Sequence, residues 1–332
     1  MRKLLLSTTA LATAAALTAG AAVADVSISA ATEWSYNSRS SLVTANDGTT
    51  FGTDSEIAFT FSNKTDSGLD ISYTVELESD ATSAGGADNM VDESSLSISG
   101  GFGKVVLGMN DDVGDNYGIE AEDAVAEEST PTVTSASIAT DTDISTLSGD
   151  ANKISYHLPA IGGLTAGVSF TDSGAVGATD STVIGFNYKM EAGGSTVTIG
   201  GVKGTTESAT LVDTEAQNLG VKLVSGNITF IAAQSTLQSN DEDIAASGFG
   251  VSYTMANGMV LGAYSMTSDD DLDTAEQYSK NGVELQYTIA AGLSAVINVD
   301  NYEYTAATTP DTTGTTINDQ GTNTKFTLKA SF

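Results

Sequence analysis

Lys104-Val105-Val106-Leu107-Gly108-Met109 and Lys153-Ile154-Ser155-Tyr156-His157-Leu158 are two alternating stretches, and what separates them decides the fold. Between them come Asp111, Asp112, Asp115, Glu120, Glu122, Asp123, Glu127, Glu128, Asp141, Asp143 and Asp150, with no Lys or Arg. A structureless connection of about forty residues is rare in a compact domain and is usually functional or disordered. Nearly every other connection in the chain is much shorter. One long acidic loop among short hairpins is the pattern of a β-barrel with a segment folded into its lumen. The expectation is that Met109–Asp150 narrows a water-filled pore.

Working outward, the same period of two recurs along the chain, apolar on one face and polar on the other. Val26, Ile28, Ala30, Trp34 and Tyr36 oppose Ser27, Ser29, Glu33 and Ser35. Ile57, Phe59 and Phe61 oppose Glu56, Thr60 and Ser62; Leu69, Ile71, Tyr73, Val75 and Leu77 oppose Asp70, Ser72, Thr74, Glu76 and Glu78. Beyond the long loop the pattern resumes through Phe170, Phe186, Val221, Val251, Leu285 and Ile297, and the chain closes on Phe326, Leu328, Ala330 and Phe332. At Ile228–Ala233 either parity is apolar, so the register there is open. Short turns such as Gly100-Gly101-Phe102-Gly103, Glu191-Ala192-Gly193-Gly194 and Ala290-Ala291-Gly292 interleave with longer polar connections at 37–52, 80–93, 171–181, 204–213, 239–244, 268–276 and 304–323. Strict alternation of short and long connections is the asymmetry of an outer-membrane barrel, and a soluble β-sandwich does not explain it. The segments number about sixteen, even as a bacterial barrel should be. The predicted fold is all-β, a transmembrane antiparallel barrel.

The first 24 residues read as a signal peptide. Arg2 and Lys3 precede an apolar run to Val23, and Ala22-Val23-Ala24 is an A-x-A cleavage signal before Asp25. The barrel domain is then 25–332. No later stretch approaches the roughly 18 apolar residues of a membrane helix. The chain carries a net charge of −31; loss of Arg2 and Lys3 leaves 10 basic against 43 acidic residues, or −33. That sign excludes nucleic acid as a partner. With no cysteine, neither a disulfide nor a thiolate metal site holds the fold.

The scarce cations fall on the polar parity of their strands: Lys104, Lys153, Lys189, Lys222, Lys280, Lys325 and Lys329, with Lys203 ambiguous. A charge facing lipid costs about 2–4 kcal/mol at the midplane, which alone explains the parity. Wall lysines facing an all-acidic loop would in addition set up a transverse field across the pore. The expected constriction residues are Asp111, Asp112, Asp115, Glu120, Glu122, Asp123, Glu127 and Glu128, with the seven lysines as wall cations.

At this point the chain resembles a known family, the general outer-membrane porins of the alphaproteobacterial kind. Ser62-Asn63-Lys64-Thr65-Asp66-Ser67-Gly68-Leu69 is similar to that family's turn between its second and third strands. Gly100-Gly101-Phe102-Gly103-Lys104-Val105-Val106-Leu107-Gly108 is similar to the turn and fifth strand that lead into its constriction loop. The terminal Phe332 resembles the signal by which such barrels are recognised for insertion. The resemblance covers the chain after the leader. It implies a sixteen-stranded homotrimer whose third external loop folds inward, with outer-membrane lipids, lipopolysaccharide and the assembly machinery as partners. Family members usually face that loop with an arginine cluster. Here Arg39 is the one arginine after the leader, so lysines would serve, and a lysine is a hydrated point charge without the guanidinium fork.

Other signals are weaker. Asp269-Asp270-Asp271-Leu272-Asp273 has Thr274 where a calcium loop needs Gly and Lys280 where it needs Glu. The Asp111/Asp112/Asp115 and Glu120/Glu122/Asp123 groups offer oxygen ligands for Ca²⁺, and the resemblance implies calcium in this loop; a solvated acidic loop is the plainer reading, and whether a metal is bound stays open. Ser155 and His157 share a strand face without a third orienting group, so no catalytic site is assigned and no enzyme is expected. Trp34, Tyr36, Phe59, Phe61, Tyr253 and Tyr287 suit interfacial girdles. The expected function is an outer-membrane channel for passive diffusion of ions and small hydrophilic solutes, preferring cations. The alternatives are a substrate-selective channel with a solute-binding site and a soluble secreted acidic adhesin.

Overall fold

The computed structural model describes residues 25–78, 91–128, 138–142, 149, 151–172, 179–208, 213–239, 242–270, 276–305 and 318–332. The leader at 1–24, and with it the cleavage signal, lies outside the described residues, as do Asp143 and Asp150.

Sixteen strands close into one barrel in which every strand is antiparallel to its sequence neighbours and the last pairs with the first. They are β1 Asp25–Ser41, β2 Gly48–Lys64, β3 Asp70–Glu78, β4 Val91–Gly100, β5 Gly103–Asn110, β6 Ala151–His157, β7 Leu164–Thr171 and β8 Thr179–Ala192. Then follow β9 Ser195–Ser208, β10 Thr214–Ser225, β11 Ile228–Ser239, β12 Glu242–Thr254, β13 Val260–Asp270, β14 Gln277–Ala290, β15 Leu293–Thr305 and β16 Asp319–Ser331. Phe332 completes the seam, its backbone bonded both ways to Ala30 (2.8 and 3.3 Å) while its ring is exposed. Closure removes the unpaired edges that an open sheet of this size would present. Short turns gather at one end and long loops at the other. The turn between β8 and β9 needs two successive left-handed residues, and Gly193 and Gly194 supply them (φ 62° and 86°).

The outward face is apolar in a continuous belt. Ile154, Ile184, Phe230, Phe249, Val283 and Ile297 are all exposed there. Such a belt on a closed barrel is a lipid contact. Trp34, Phe51 and Tyr36 pack together on its β1–β2 side, with ring centroids 5.5 and 5.2 Å apart, and Trp34 meets Phe326 edge-on.

Several strands run further toward the long loops than the alternation predicts. The expected loop 37–52 is strand on both sides of a short connection, because β1 continues to Ser41 and β2 starts at Gly48. β15 likewise runs through Thr305 and β16 starts at Asp319. In these extensions the outward residues are Ser38, Ser40, Asn301, Glu303, Gln320 and Thr322. On β1 and β16 polar residues on both faces erase the period-two signal, and on β15 it inverts, with Tyr302 and Tyr304 facing in, although the ladder of backbone bonds continues.

The register left open at Ile228–Ala233 resolves with Phe230 outward and Ile231 and Ala233 buried on the inner face. Apolar residues inside a pore wall need a cover, and all three buried apolar clusters name it. Val113 and Tyr117 pack on Val183 and Val202; Ile119 and Ala124 pack on Ile231; Ile138 packs with Ala246, Met266, Tyr278, Tyr302 and Tyr304. The core of this molecule is the contact between the long loop and the inner wall.

Candidate functional site

The long loop leaves β5 at Asn110 and stays inside the barrel. Asp112 starts a short helix, α1 (Val113–Tyr117), by accepting from the Gly114 N–H at 2.6 Å. α1 lies on β7, β8 and β9, and Tyr117 donates to or accepts from His157 Nδ1 at 3.0 Å. The chain then crosses to β11–β13 as a 3-10 turn at Glu122–Ala124. Asn218 on β10 holds it by both ends of its amide, accepting from Ile119 N–H (3.2 Å) and donating to Ile119 O and Thr142 O (3.1 Å each). The returning limb is bonded to the same wall, with Ser268 Oγ donating to Ala139 O at 2.5 Å. Glu122 is buried and accepts from Thr142 Oγ at 2.5 Å. Burial raises its carboxyl above the ordinary value, and the Thr142 bond only partly offsets this.

Further on, the loop is clamped to β14–β16. Glu284 accepts from the backbone N–H groups of Ala126 and Glu127 at 2.8 and 2.7 Å. Glu127, almost fully buried, pairs with Lys325 at 2.5 Å and with Lys329; Glu128 pairs with Lys280, which is wholly buried. Lys329 also reaches Glu33 on β1 at 2.8 Å. Burial alone would raise the Glu127 carboxyl, but the hydrogen bonds from Lys325 and Lys329 hold it below the ordinary value. At the loop's base Lys153 is buried and donates to the carbonyls of Asn110 and Gly149.

The placements of the expected site residues therefore differ in kind. Asp111, Asp115 and Asp123 are exposed and Glu120 is half-exposed; Asp112, Glu122 and Glu127 are buried against protein. Of the lysines, Lys153, Lys280, Lys325 and Lys329 hold the loop, in contact with it and not across a gap from it. Lys104 and Lys189 are exposed, Lys222 half-exposed, all near the short-turn end. Lys203 faces outward, opposite Ile184, and pairs with Glu215 at 2.6 Å.

Because the loop covers β7 to β16, the wall that still faces the lumen is β1–β6. Its polar parity is strongly acidic toward the long-loop end. Glu33 stands opposite Asp54, and Glu56 opposite Glu78. Two trios, Asp54/Glu56/Glu78 and Glu56/Glu76/Asp92, bring carboxylate oxygens within 4.8 Å of one another. Among the described residues these are the groupings that approach metal-ligand spacing, and they lie on the wall, not on the loop. Toward the short-turn end the same face becomes hydroxyl: Ser27 pairs Thr60, Thr60 pairs Thr74 (3.1 Å between their oxygens), and Thr74 pairs Ser95. Sequence reasoning puts Glu76 and Glu78 on the polar face but misses the cluster, because only strand register brings Glu56, Glu78 and Asp92 together.

Comparison with known proteins follows from this geometry. The family model described as Gram-negative porin matches residues 8–330. The chain belongs to the Gram-negative porin family. The porin's fold is similar to that of an anion-selective porin from Comamonas acidovorans (16% identity, 93% of this chain and 100% of that one, TM-score 0.65). It is also similar to OmpT of Vibrio cholerae in its trimer form (13% identity, 93% and 99%, TM-score 0.67) and to a substituted form of the Rh. blastica porin (14% identity, 92% and 100%, TM-score 0.62). A search of curated protein sequences finds no match. At these identities the likeness carries the fold alone.

Proposed function

We propose that this porin is a cation-preferring diffusion channel of the outer membrane, passing ions and small hydrophilic solutes, and that its filter is the gap between the inner loop and the carboxylate wall of β1–β4. The observation that supports the preference is where the charges stand. Lys280, Lys325 and Lys329, the cations nearest the loop tip, are in contact with loop carboxylates, whereas Asp54, Glu56, Glu76, Glu78 and Asp92 line the opposite face. Negative charge on one side of a narrow aqueous path raises the local cation concentration and lowers the cation's barrier. The arginine cluster expected from the family is replaced on this wall by acids.

In this reading the long-loop end faces outward and the short-turn end the periplasm. Residues 1–24 are the cleaved leader, Phe332 is the assembly signal, and three copies assemble as in the trimeric relative. Lipopolysaccharide and lipid surround the apolar belt. No enzymatic role is assigned: His157 is turned to Tyr117, not to Ser155. Calcium at the loop draws no support from Asp112 and Glu122, which are turned to protein partners.

The test is the reversal potential of the refolded mature chain in a planar bilayer under a salt gradient at low ionic strength, where screening is weakest. Wild type should give a cationic reversal potential, and Glu56→Gln with Glu78→Gln should move it toward zero. An unchanged potential in the double variant would remove the wall from the filter. Saturable block of the current by a solute would favour the substrate-selective reading instead.

A further inference from the structure

The inner wall beneath the loop is made of glycine along the loop's path. Gly185, Gly200, Gly220, Gly248, Gly250 and Gly262 sit on β8, β9, β10, β12 and β13, at inward positions, with Gly200 and Gly220 directly paired across strands. Each lacks a side chain where a loop atom already lies. A Cβ at Gly185 would stand 2.7 Å from Tyr117 Cβ, and one at Gly220 2.5 Å from Ile119 Cβ and 2.6 Å from Ile119 O. At Gly200 it would meet Tyr117 O at 2.7 Å, at Gly248 Ala121 Cβ at 2.8 Å, and at Gly262 Ala124 O at 2.7 Å; at Gly250 it would run into Ala121 O. Strand interiors disfavour glycine, which weakens a strand unless another backbone approaches closely. Here the approaching backbone is the loop, from Tyr117 to Ala124.

We propose that this glycine track sets the porin's size-exclusion limit, because it recesses the loop into the wall and so fixes how much lumen remains between the loop and β1–β6. The loop's thickness is constant, so the depth of its bed decides the free width. Methyl-bearing side chains in the bed would force the loop backbone toward the acidic wall: ordinary contact needs 3.4–4 Å, and at Gly220 only 2.5 Å is available. The inference rests on the porin reading, and the wild-type channel separates the two. A folded wild type that does not conduct sinks the porin reading; the variants below test only the track.

The experiment compares single-channel conductance and the largest neutral sugar or polyethylene glycol that enters, for wild type, Gly220→Val, Gly220→Ala and Gly262→Ala. Gly101→Ala is the control, since a Cβ there meets nothing within 4 Å and the residue lies in a short turn. Each protein is first shown to be a detergent-resistant folded barrel. Gly220→Val and Gly262→Ala should each lower conductance by roughly a quarter or more and reduce the solute cut-off, as expected when pore radius limits flow. Gly220→Ala should fall between Gly220→Val and wild type, and Gly101→Ala should match wild type. Folded Gly220→Val and Gly262→Ala channels with wild-type conductance and cut-off would overturn the proposal. If Gly220→Val fails to fold, Gly220→Ala and Gly262→Ala decide it: unaltered conductance and cut-off in both overturns it equally.

Discussion

Replacing Glu127 by glutamine should loosen the loop tip without unfolding the barrel. The Glu127 carboxylate is almost fully buried between Lys325, at 2.5 Å, and Lys329. A glutamine oxygen can accept from one lysine, but its amide then points N–H groups at the other. Removing one partner of a buried ion pair costs about 3–5 kcal/mol, and the Glu33 carboxylate that Lys329 keeps places this change at the lower end. The tip keeps the two bonds from its backbone to Glu284, each a charged hydrogen bond of about 1.5–3 kcal/mol, and the Glu128–Lys280 pair. The loss is thus comparable to the anchor that remains. The tip stays docked on average, but its undocked population rises by about two powers of ten, at 1.4 kcal/mol per power. Single-channel recordings should show new flicker, and the uncovered lysines should pull the reversal potential away from the cationic side. Limited proteolysis should find the loop. In wild type the same release follows acid. The Glu127 pKa lies below its ordinary value, so its stabilisation is complete above 4.5 and is lost as pH falls through the lowered value. A folded Glu127→Gln channel with wild-type noise, selectivity and protease resistance would refute the clamp.

Three further outcomes are expected. Glu122→Gln should raise the unfolding temperature by a few degrees at pH 7 and by less in acid: burial raises its pKa, so the charged form weakens the fold at neutral pH and protonation already relieves wild type at low pH. Lys203→Ala should change stability by less than about 0.5 kcal/mol, since Lys203 is exposed and its partner Glu215 half-exposed; a gain of the roughly 2–4 kcal/mol typical of a lipid-buried charge would mean that the belt reaches Lys203. Phe332→Ala should refold in detergent as well as wild type, because its ring is 83% exposed, yet reach the outer membrane poorly in cells. Equal membrane yield would remove its role as an assembly signal.

The barrel is legible in the sequence because its outward face has one solvent. Wherever strands cross the belt, as at Leu285-Gln286-Tyr287, alternation between apolar and polar is forced, and strand number and direction follow from it. The signal fails where the surroundings change. At the ends of β1 and β16 both faces are polar, and on β15 the pattern inverts, with Asn301 and Glu303 outward and Tyr302 and Tyr304 buried inward, so these strands read as ending early. Under the long loop the inner face is apolar or glycine, so Ile231 and Phe230 compete for the outward parity and only the structure decides. The site is half legible for a related reason. An all-acidic loop and inward lysines are visible residue by residue, but whether they oppose or touch depends on where the loop lies. The acidic wall depends on register: Glu56 and Glu78 are far apart in sequence and directly opposite in the sheet.

The distribution of the few cations then accounts for how so acidic a chain holds its loop and, in the proposed reading, favours one sign of ion. After the leader there are ten basic residues. Four of them, Lys153, Lys280, Lys325 and Lys329, are committed to the loop's base and tip. Four more, Lys64, Lys104, Lys189 and Lys222, stand near the short-turn end, where Asp25, Asp66, Asp70 and Glu191 balance them in number. Arg39 and Lys203 are left for the long-loop half. The cations are thereby gathered in two places, under the loop and at the short-turn mouth, and few stand along the upper lumen. There the carboxylates of β2–β4 lie, in two trios, within 4.8 Å of one another and face the water of the lumen. The same water is the path of the permeating ion. Spending lysines on the clamp rather than on the wall keeps the loop in place and leaves the field of the pore to the acids.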